Sequence, residues 1–536
     1  MPAMFSIDQN CHSLWDVLPK LQALARRGLV VTQYVEDVDA AFTELGSAVA
    51  GSRLRLARER FHHSGGEDWG AGLFYTHFLG RLSVDLRLWE PLLGMRISAL
   101  AKRLNRSVGE LYAQYSPGDT WQLIGPSYVG DREHHRVMGD LSVAETAGFL
   151  RQVLQQARQE MLHTFPAADS HARLGQWFDA EHRRVEALIA RHSAGRLCEL
   201  YCSWLGEHVG GQVGLDRASA LLALEGDPAR LAVLELFLKD YDLAAGLYNQ
   251  AVGESHVGLH ELASGQGELP FFAVLAHQGH LVRVQAWWRG GKLLVDQREY
   301  ACPRGQLPVQ QLQQAGVQCL AGKAIVLVIQ VRLGSRPRML ALPYRGSADM
   351  PAAHLLAQKL LKHGLLAQAP PPVMRVRFGL LDRLAGVRTP IRLSPHLAGE
   401  LGEEEVPASR LGEAWSTIAA AAKARLALLG KEGLRAWHRQ NLPELAQELE
   451  ELDARRRELA RFDPKGQDIR DLWNVYKSLQ AQALEQTLRQ LDADWQLAQL
   501  EYFDSRGALL PWSMALGGLE FYHALIEQAR IYPETH

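Results

Sequence analysis

The stretch from Ser127 to Asp140, "SYVGDREHHRVMGD", puts two adjacent histidines, two arginines and three acids into one short segment. Imidazole titrates near neutrality and a neighbouring carboxylate can hold its tautomer, so Asp131, His134 and His135 are the residues expected to carry acid-base chemistry. Two residues further on, Ser142 and Glu145 make the spacing of a capping box that opens the helix "SVAETAGFLRQVLQQARQEMLHTF". The free N–H groups and positive dipole end of such a start favour a negative group. Arg132, Arg136 and Ser142 are therefore expected to bind a phosphate or carboxylate. The competing reading is a solvated loop with one histidine packed inward. No metal set is expected, because adjacent histidines point apart on most backbones and zinc sites usually space their ligands as in His-x3-His.

A second cluster, "FHHSGGEDWGAG", surrounds Gly65 and Gly66 with His62, His63, Glu67 and Asp68. Glycines let backbone amides approach a phosphate closely, so His62, His63, Gly65 and Gly66 are further anion-binding candidates. The stretch fits neither G-x-x-x-x-G-K-[ST] nor a G-x-G-x-x-G after a strand, and a plain loop between helices is the alternative. Cys198 and Cys202 would share a helix face and read as small buried residues. "RGSADM" is a possible anion-binding turn capped by Ser347 or Asp349, and Trp287 and Trp288 should project to opposite faces of a strand.

The elements that must position these groups follow from periodicity. Residues 1–210 read as largely helical, with a second capping box at Ser107 and Glu110 and a short strand at "WQLIG". From 211 to about 410 the pattern is that of an α/β unit. "ASALLALEG" reads as a strand feeding a helix through Gly226-Asp227-Pro228. "LPFFAVLAHQGHLVRVQAWWRGGKLLVDQREY" reads as an antiparallel meander turning at "HQGH" and "RGGK". "KAIVLVIQVRL" and "RPRMLALPYRG" read as buried strands, and "MPAAHLLAQKLLKHGLL" as a helix with Gly364 near its C-cap. From 411 to 500, Leu445, Leu449, Leu452 and Leu459, then Ile469, Leu472, Tyr476, Leu479 and Ala483, keep a 4-then-3 spacing around "DPKGQD", which predicts an antiparallel helical hairpin. The apolar segment 501–536 should fold back on another part of the chain.

The chain has 536 residues, enough for two to four domains at about 150 residues each. Its 58 Lys and Arg against 60 Asp and Glu leave a formal charge of -2, so there is no global pull toward nucleic acid or an anionic membrane. The amino terminus lacks a basic start and apolar h-region, and no run approaches the ~20 apolar residues of a membrane span. Five scattered cysteines, Cys11, Cys198, Cys202, Cys302 and Cys319, do not make a disulfide framework. These features predict a cytoplasmic protein with reduced thiols.

The order of elements from about 211 to 536 resembles the bacillithiol-biosynthesis cysteine-adding enzymes. The resemblance is carried by "LLALEGDPARLAVLELFLKDYDLAAGLYNQ", by "MLALPYRGSADMPAAHLLAQKLLKHGLLAQAPPPVMRVRFGLLDRL" and by the carboxy-terminal helices. Gly226, Asp227 and Pro228, then Gly346, then Pro371, Pro372, Val373 and Met374 occupy the family's corresponding places. The resemblance implies a Rossmann-like core, a protruding coiled-coil hairpin, and a ligase-like step that adds cysteine to an amino-sugar conjugate. The family's glycine and double-glutamine loop is missing, so the fold can carry over without the chemistry. The cofactor stays open, with ATP or ADP the candidate, and the expected partners are a small-molecule substrate and a second copy joined through the hairpin. A non-catalytic metabolite-binding protein and a coiled-coil assembly protein are the alternatives on the same scaffold.

Overall fold

The computed structural model describes residues 3–8, 14–40, 55–57, 86–115, 122–124, 129, 133–255, 257, 259–344, 347, 349–462, 466–503 and 509–534. It is a helix-rich α/β protein with, among the described residues, two six-stranded sheets, the second counting the short strand His135–Arg136, and two two-stranded ones. Among the described residues no helix is long and apolar enough to cross a membrane.

Short Val-, Ile- and Leu-rich runs that are covered on both faces suit a parallel sheet. Five such strands lie parallel in the spatial order Val373–Arg377, Met339–Pro343, Ala3–Asp8, Val30–Val35, Val213–Arg217, and Arg530–Pro533 closes the first edge antiparallel. The chain starts in the middle, steps outward twice, returns to the other side of Ala3–Asp8, and steps outward again. The direction of winding therefore reverses between Ala3–Asp8 and Met339–Pro343. Two strands from the region read as largely helical thus form the middle of the sheet. They went unread because "AMFSID" and "VVTQYV" are only six residues each, flanking the amphipathic helix Leu14–Arg26.

Helices Val143–Thr164, Ala168–Arg191 and Leu197–Val209 build one core with Leu14–Arg26 and the last helix, Leu509–Glu527. The apolar carboxy-terminal segment does fold back: Trp512 is fully buried, Ser170 Oγ donates to the Ala515 carbonyl at 2.8 Å, and Tyr522 Oη donates to Gln22 Oε1 at 2.6 Å.

The second sheet is the meander Glu268–His277, His280–Arg289, Lys292–Val295 and Arg298–Ala301, with Val317–Gly322 beside its first strand. Its three two-residue turns, Gln278-Gly279, Gly290-Gly291 and Asp296-Gln297, all have positive φ at both positions. That is the type I′ geometry whose twist matches the flanking strands. Two expected strands differ. "KAIVLVIQVRL" is the helix Ala324–Arg332, apolar all round with Ile325, Val326, Ile329 and Val331 buried, so its periodicity carried no signal. "ASALLALEG" begins as the short helix Ala218–Leu221, and the strand is the preceding Val213–Arg217. Asp227 caps the following helix Pro228–Lys239 by accepting from the Ala229 amide at 3.0 Å.

Helices Pro443–Leu459 and Gln467–Ala498 flank the predicted break, and the Arg456 guanidinium near the end of the first lies 5.0 Å over the Trp473 ring near the start of the second. The preceding helix Ala408–Asn441 packs against the second half of Gln467–Ala498, where His438 Nε2 lies 2.9 Å from Thr487 Oγ1 and Arg425 Nε donates to Asp494 at 2.7 Å. Residues 86–115 join this bundle, with Trp89 edge-on to both Tyr115 and Trp495.

Candidate functional site

The carboxyl end of the parallel strand Val30–Val35 runs into the acidic loop Glu36-Asp37-Val38-Asp39-Ala40. The segment singled out in the sequence lies against this loop: Met138 N donates to the Asp39 carbonyl and Gly139 N to the Asp37 carbonyl, each at 2.8 Å, and Ala40 bridges Val137. A Cβ on Gly139 would sit 3.0 Å from the Asp37 carbonyl oxygen, which is why glycine stands there. On its other side, His135 and Arg136 pair with Arg283 and Val282 of the meander. The segment therefore stitches the meander to the end of the parallel sheet.

Asp140 holds the stitch. It is fully buried, accepts from Arg136 Nε at 2.6 Å and from the Leu281 amide at 2.8 Å, and its Oδ2 lies 2.8 Å from His280 Nδ1. Burial alone would raise its carboxyl; the Leu281 amide, His280 and Arg136 together outweigh burial and hold it below the usual carboxylate range. Arg196 donates to the Asp140 carbonyl. Arg136 also reaches Glu145 at 3.2 Å, and the capping box is complete, with Glu145 N donating to Ser142 Oγ at 3.2 Å and Ser142 N to Glu145 at 3.0 Å. Arg136 and Ser142, expected to meet an anionic ligand, are thus drawn inward into the protein's own network, and Arg136 is 5% exposed.

The two histidines border one cavity, His134 just before the strand His135–Arg136 and His135 within it. His134 is 2% exposed, with Nε2 2.7 Å from Asp296 Oδ1 and its ring stacked on His277 at 3.7 Å and 16°. Together with Glu133, His135 and His134 line a cavity of about 540 Å³ whose walls include Arg283, Gln285, Trp287, Arg289 and Asp296. The Arg289 guanidinium lies 5.0 Å over the Trp287 ring, and Arg283 pairs with Asp39. His277, Asp296 and Arg283 were not singled out in the sequence. The signal for His277 and Asp296 was the turn chemistry of "HQGH" and "VDQRE", and Arg283 carried none; Asp296 and Gln297 both hold left-handed φ of 48° and 61°, a backbone that costs such residues about 1 kcal/mol or more each.

In the acidic loop at the strand end, Glu36 and Asp37 are 4% and 3% exposed. Burial first, then the charges of Asp39 and Asp37, push the Glu36 carboxyl well above its ordinary range. Asp37 is raised by burial, against the opposing Ser219 Oγ and amide at 2.6 and 2.7 Å. Carboxyls raised in this way at the end of a parallel strand hold a proton more tightly than free ones do. A second cavity of about 390 Å³ is lined by Tyr34, Asp216, Asp227, Arg230, Arg336 and Arg338, and Asp227 there accepts from the Ser335 amide and Oγ at 2.6 Å each.

The other candidates divide simply. Asp131, Arg132, His62, His63, Gly65, Gly66 and Gly346 lie outside the described residues. Burial pushes the Cys198 and Cys202 thiols up to about 11 and about 12, which suits packing rather than nucleophilic chemistry. Asp349 stands at the N-cap of Met350–Lys362 without a side-chain cap bond, and burial raises its carboxyl. Compared with known proteins, the chain matches no family model and no curated protein is significantly similar to it.

The raised Glu36 sets a pH dependence. Its folded pKa lies above the ordinary 4.5, so its contribution to stability is complete below that value and is lost as pH rises through the folded pKa. Glu36→Gln keeps the acceptor for the Val38 amide and removes the titration. Urea unfolding from pH 4 to pH 8 should show the variant gaining on the native protein as pH rises, by up to about 1.4 kcal/mol per pH unit while the fold holds the extra proton. Parallel curves would contradict the assignment.

Proposed function

We propose that the protein is an enzyme on a Rossmann-like core, of the ligase-like, amino-acid-adding type, joining cysteine to an amino-sugar conjugate in low-molecular-weight thiol synthesis. The observation that carries the reading is the reversal of strand order between Ala3–Asp8 and Met339–Pro343. In open parallel sheets, ligands bind outside the carboxyl ends of the strands where the winding reverses. Glu36 and Asp37 lie at that end of the sheet, and the segment 134–140 docks the His135 cavity beside them. Arg283 and Arg289 line the cavity with planar guanidinium groups of the kind that suit a carboxylate, and His135 lines it with an imidazole able to pass a proton. The motif Gly226-Asp227-Pro228 borders the second cavity, where Arg230, Arg336 and Arg338 suit a phosphate-bearing group such as that of ATP or ADP.

A thermal-shift screen against cysteine, amino-sugar conjugates, UDP-sugars, ATP and ADP, paired with mass spectrometry of the reaction mixture, tests this reading. A selective ligand at a hundred times its Kd stabilises by about 2.7 kcal/mol. The reading expects stabilisation by an amino-sugar conjugate, a product heavier by one cysteinyl residue, and a fall in turnover of about 10²–10⁴-fold in His135→Ala. Stabilisation without product would leave a non-catalytic metabolite-binding protein, and a flat screen would remove both.

One observation favours self-assembly in addition. Around the turn between Pro443–Leu459 and Gln467–Ala498, Phe462 is 82% exposed, Val475 48% and Trp473 37%. Exposed apolar side chains just after the first helix and near the start of the second suit burial against a second copy. Sedimentation analysis should show a dimer that Phe462→Glu converts to monomer; a monomeric native protein would end this idea.

A further inference from the structure

We propose that His134, His277 and Asp296 form a binding site for a divalent transition-metal ion, zinc(II) by the chemistry of its ligands. One ligand atom from each of the three residues lies within 4.8 Å of the other two. They come from three separate segments: the residue before the short strand His135–Arg136, the end of Glu268–His277, and the turn Asp296-Gln297. His134 brings the other two together: its ring stacks on His277 at 3.7 Å and its Nε2 lies 2.7 Å from Asp296 Oδ1.

The local chemistry asks for a cation. His134 Nε2 and Asp296 Oδ1 stand 2.7 Å apart, so this pair already shares a proton that an ion can replace. His277 Nε2 is buried and has no hydrogen-bond partner among the described residues. Leaving such an atom unmet costs about 1–3 kcal/mol, and an ion bound there would remove the cost. Two imidazoles and one carboxylate are the donor set of an open zinc site, with Zn–N near 2.0–2.1 Å and at least one position left for water or substrate. Ligand atoms on a common ion stand about 3–3.5 Å apart and each imidazole binds in its own ring plane, so as the ion enters His134 and Asp296 would part by a few tenths of an ångström and the stacked His134 and His277 rings would turn out of their 16° near-parallel arrangement. His134 and Asp296 are also walls of the 540 Å³ cavity, which faces the open position toward the space where a small substrate fits. Imidazole donors disfavour Mg²⁺ and Ca²⁺, which take oxygen sets.

This inference stands apart from the ligase-like reading and is tested without it. The full-length protein is stripped with EDTA, refilled with ZnCl₂, desalted, and its zinc measured by plasma mass spectrometry; CoCl₂ substitution gives visible absorption bands as a second readout. The expected result is one zinc per chain, a Co²⁺ spectrum, and a melting point raised by Zn²⁺ but not by Mg²⁺. His277→Ala and the near-isosteric Asp296→Asn should each weaken Zn²⁺ binding by more than about a hundredfold, since even partners behind the ligands are worth 10–100-fold. His135→Ala, one residue away, should keep the ion. Far-UV dichroism of Asp296→Asn checks that the fold persists. Absence of stoichiometric zinc in the refilled native protein, or undiminished zinc and Co²⁺ bands in folded Asp296→Asn and His277→Ala, would overturn the proposal.

Discussion

The buried carboxylate of Asp140 ties the meander to the segment that lies against the end of the parallel sheet, and the rest of the site depends on it. Arg136 comes from its own segment, Leu281 and His280 from the first turn of the meander, and Arg196 from the start of the helix Leu197–Val209. A carboxylate buried this completely is tolerated only when its lone pairs are met by donors, and here donors from three parts of the chain converge on it. With that convergence in place, His134 is held beside Asp296 and His277, and His135 is presented to the cavity. Removing one partner of such a cluster leaves the others buried and unmatched, so the arrangement is cooperative rather than a sum of independent contacts.

Electrostatics then sort the acids at the seam into two kinds. Asp140 and Glu145, surrounded by amide, hydroxyl and guanidinium donors, are held ionised, while Glu36 and Asp37, a few residues away on the strand end, are raised by burial. Neighbouring carboxyls are thus pushed in opposite directions, Asp140 and Glu145 down and Glu36 and Asp37 up. Such a pairing at the carboxyl end of a parallel sheet is the physical basis for reading the region as a reaction site.

What the sequence made legible was local. The box at Ser142 and Glu145 closes within three residues, the meander's turns need only the φ values of two residues each, and Asp227 caps its helix from the position before a proline. What stayed hidden was set by distant packing. Ala324–Arg332 is apolar on every side, so neither the helical nor the strand period showed. The strands Ala3–Asp8 and Val30–Val35 are too short for alternation to stand out, yet they occupy the middle of the sheet. In the site itself, the sequence drew attention to His134, but its partners His277 and Asp296 are joined to it only by tertiary contact with the meander. Arg136 and Ser142 looked free for a ligand because the spacing that revealed the capping box says nothing about the Asp140 carboxylate behind it.

The central claim is that the Asp140 cluster docks the meander on the parallel sheet and so assembles the site. Amide hydrogen exchange of the native protein and of Asp140→Ala, read by mass spectrometry, tests it most directly. Residues 134–142 and 277–283 should lose protection together, including the Val137 amide bonded to the Leu281 carbonyl, while Val30–Val35, Met339–Pro343 and Val373–Arg377 stay protected. Unchanged exchange at the seam, or an equal loss across the whole chain, would contradict the account.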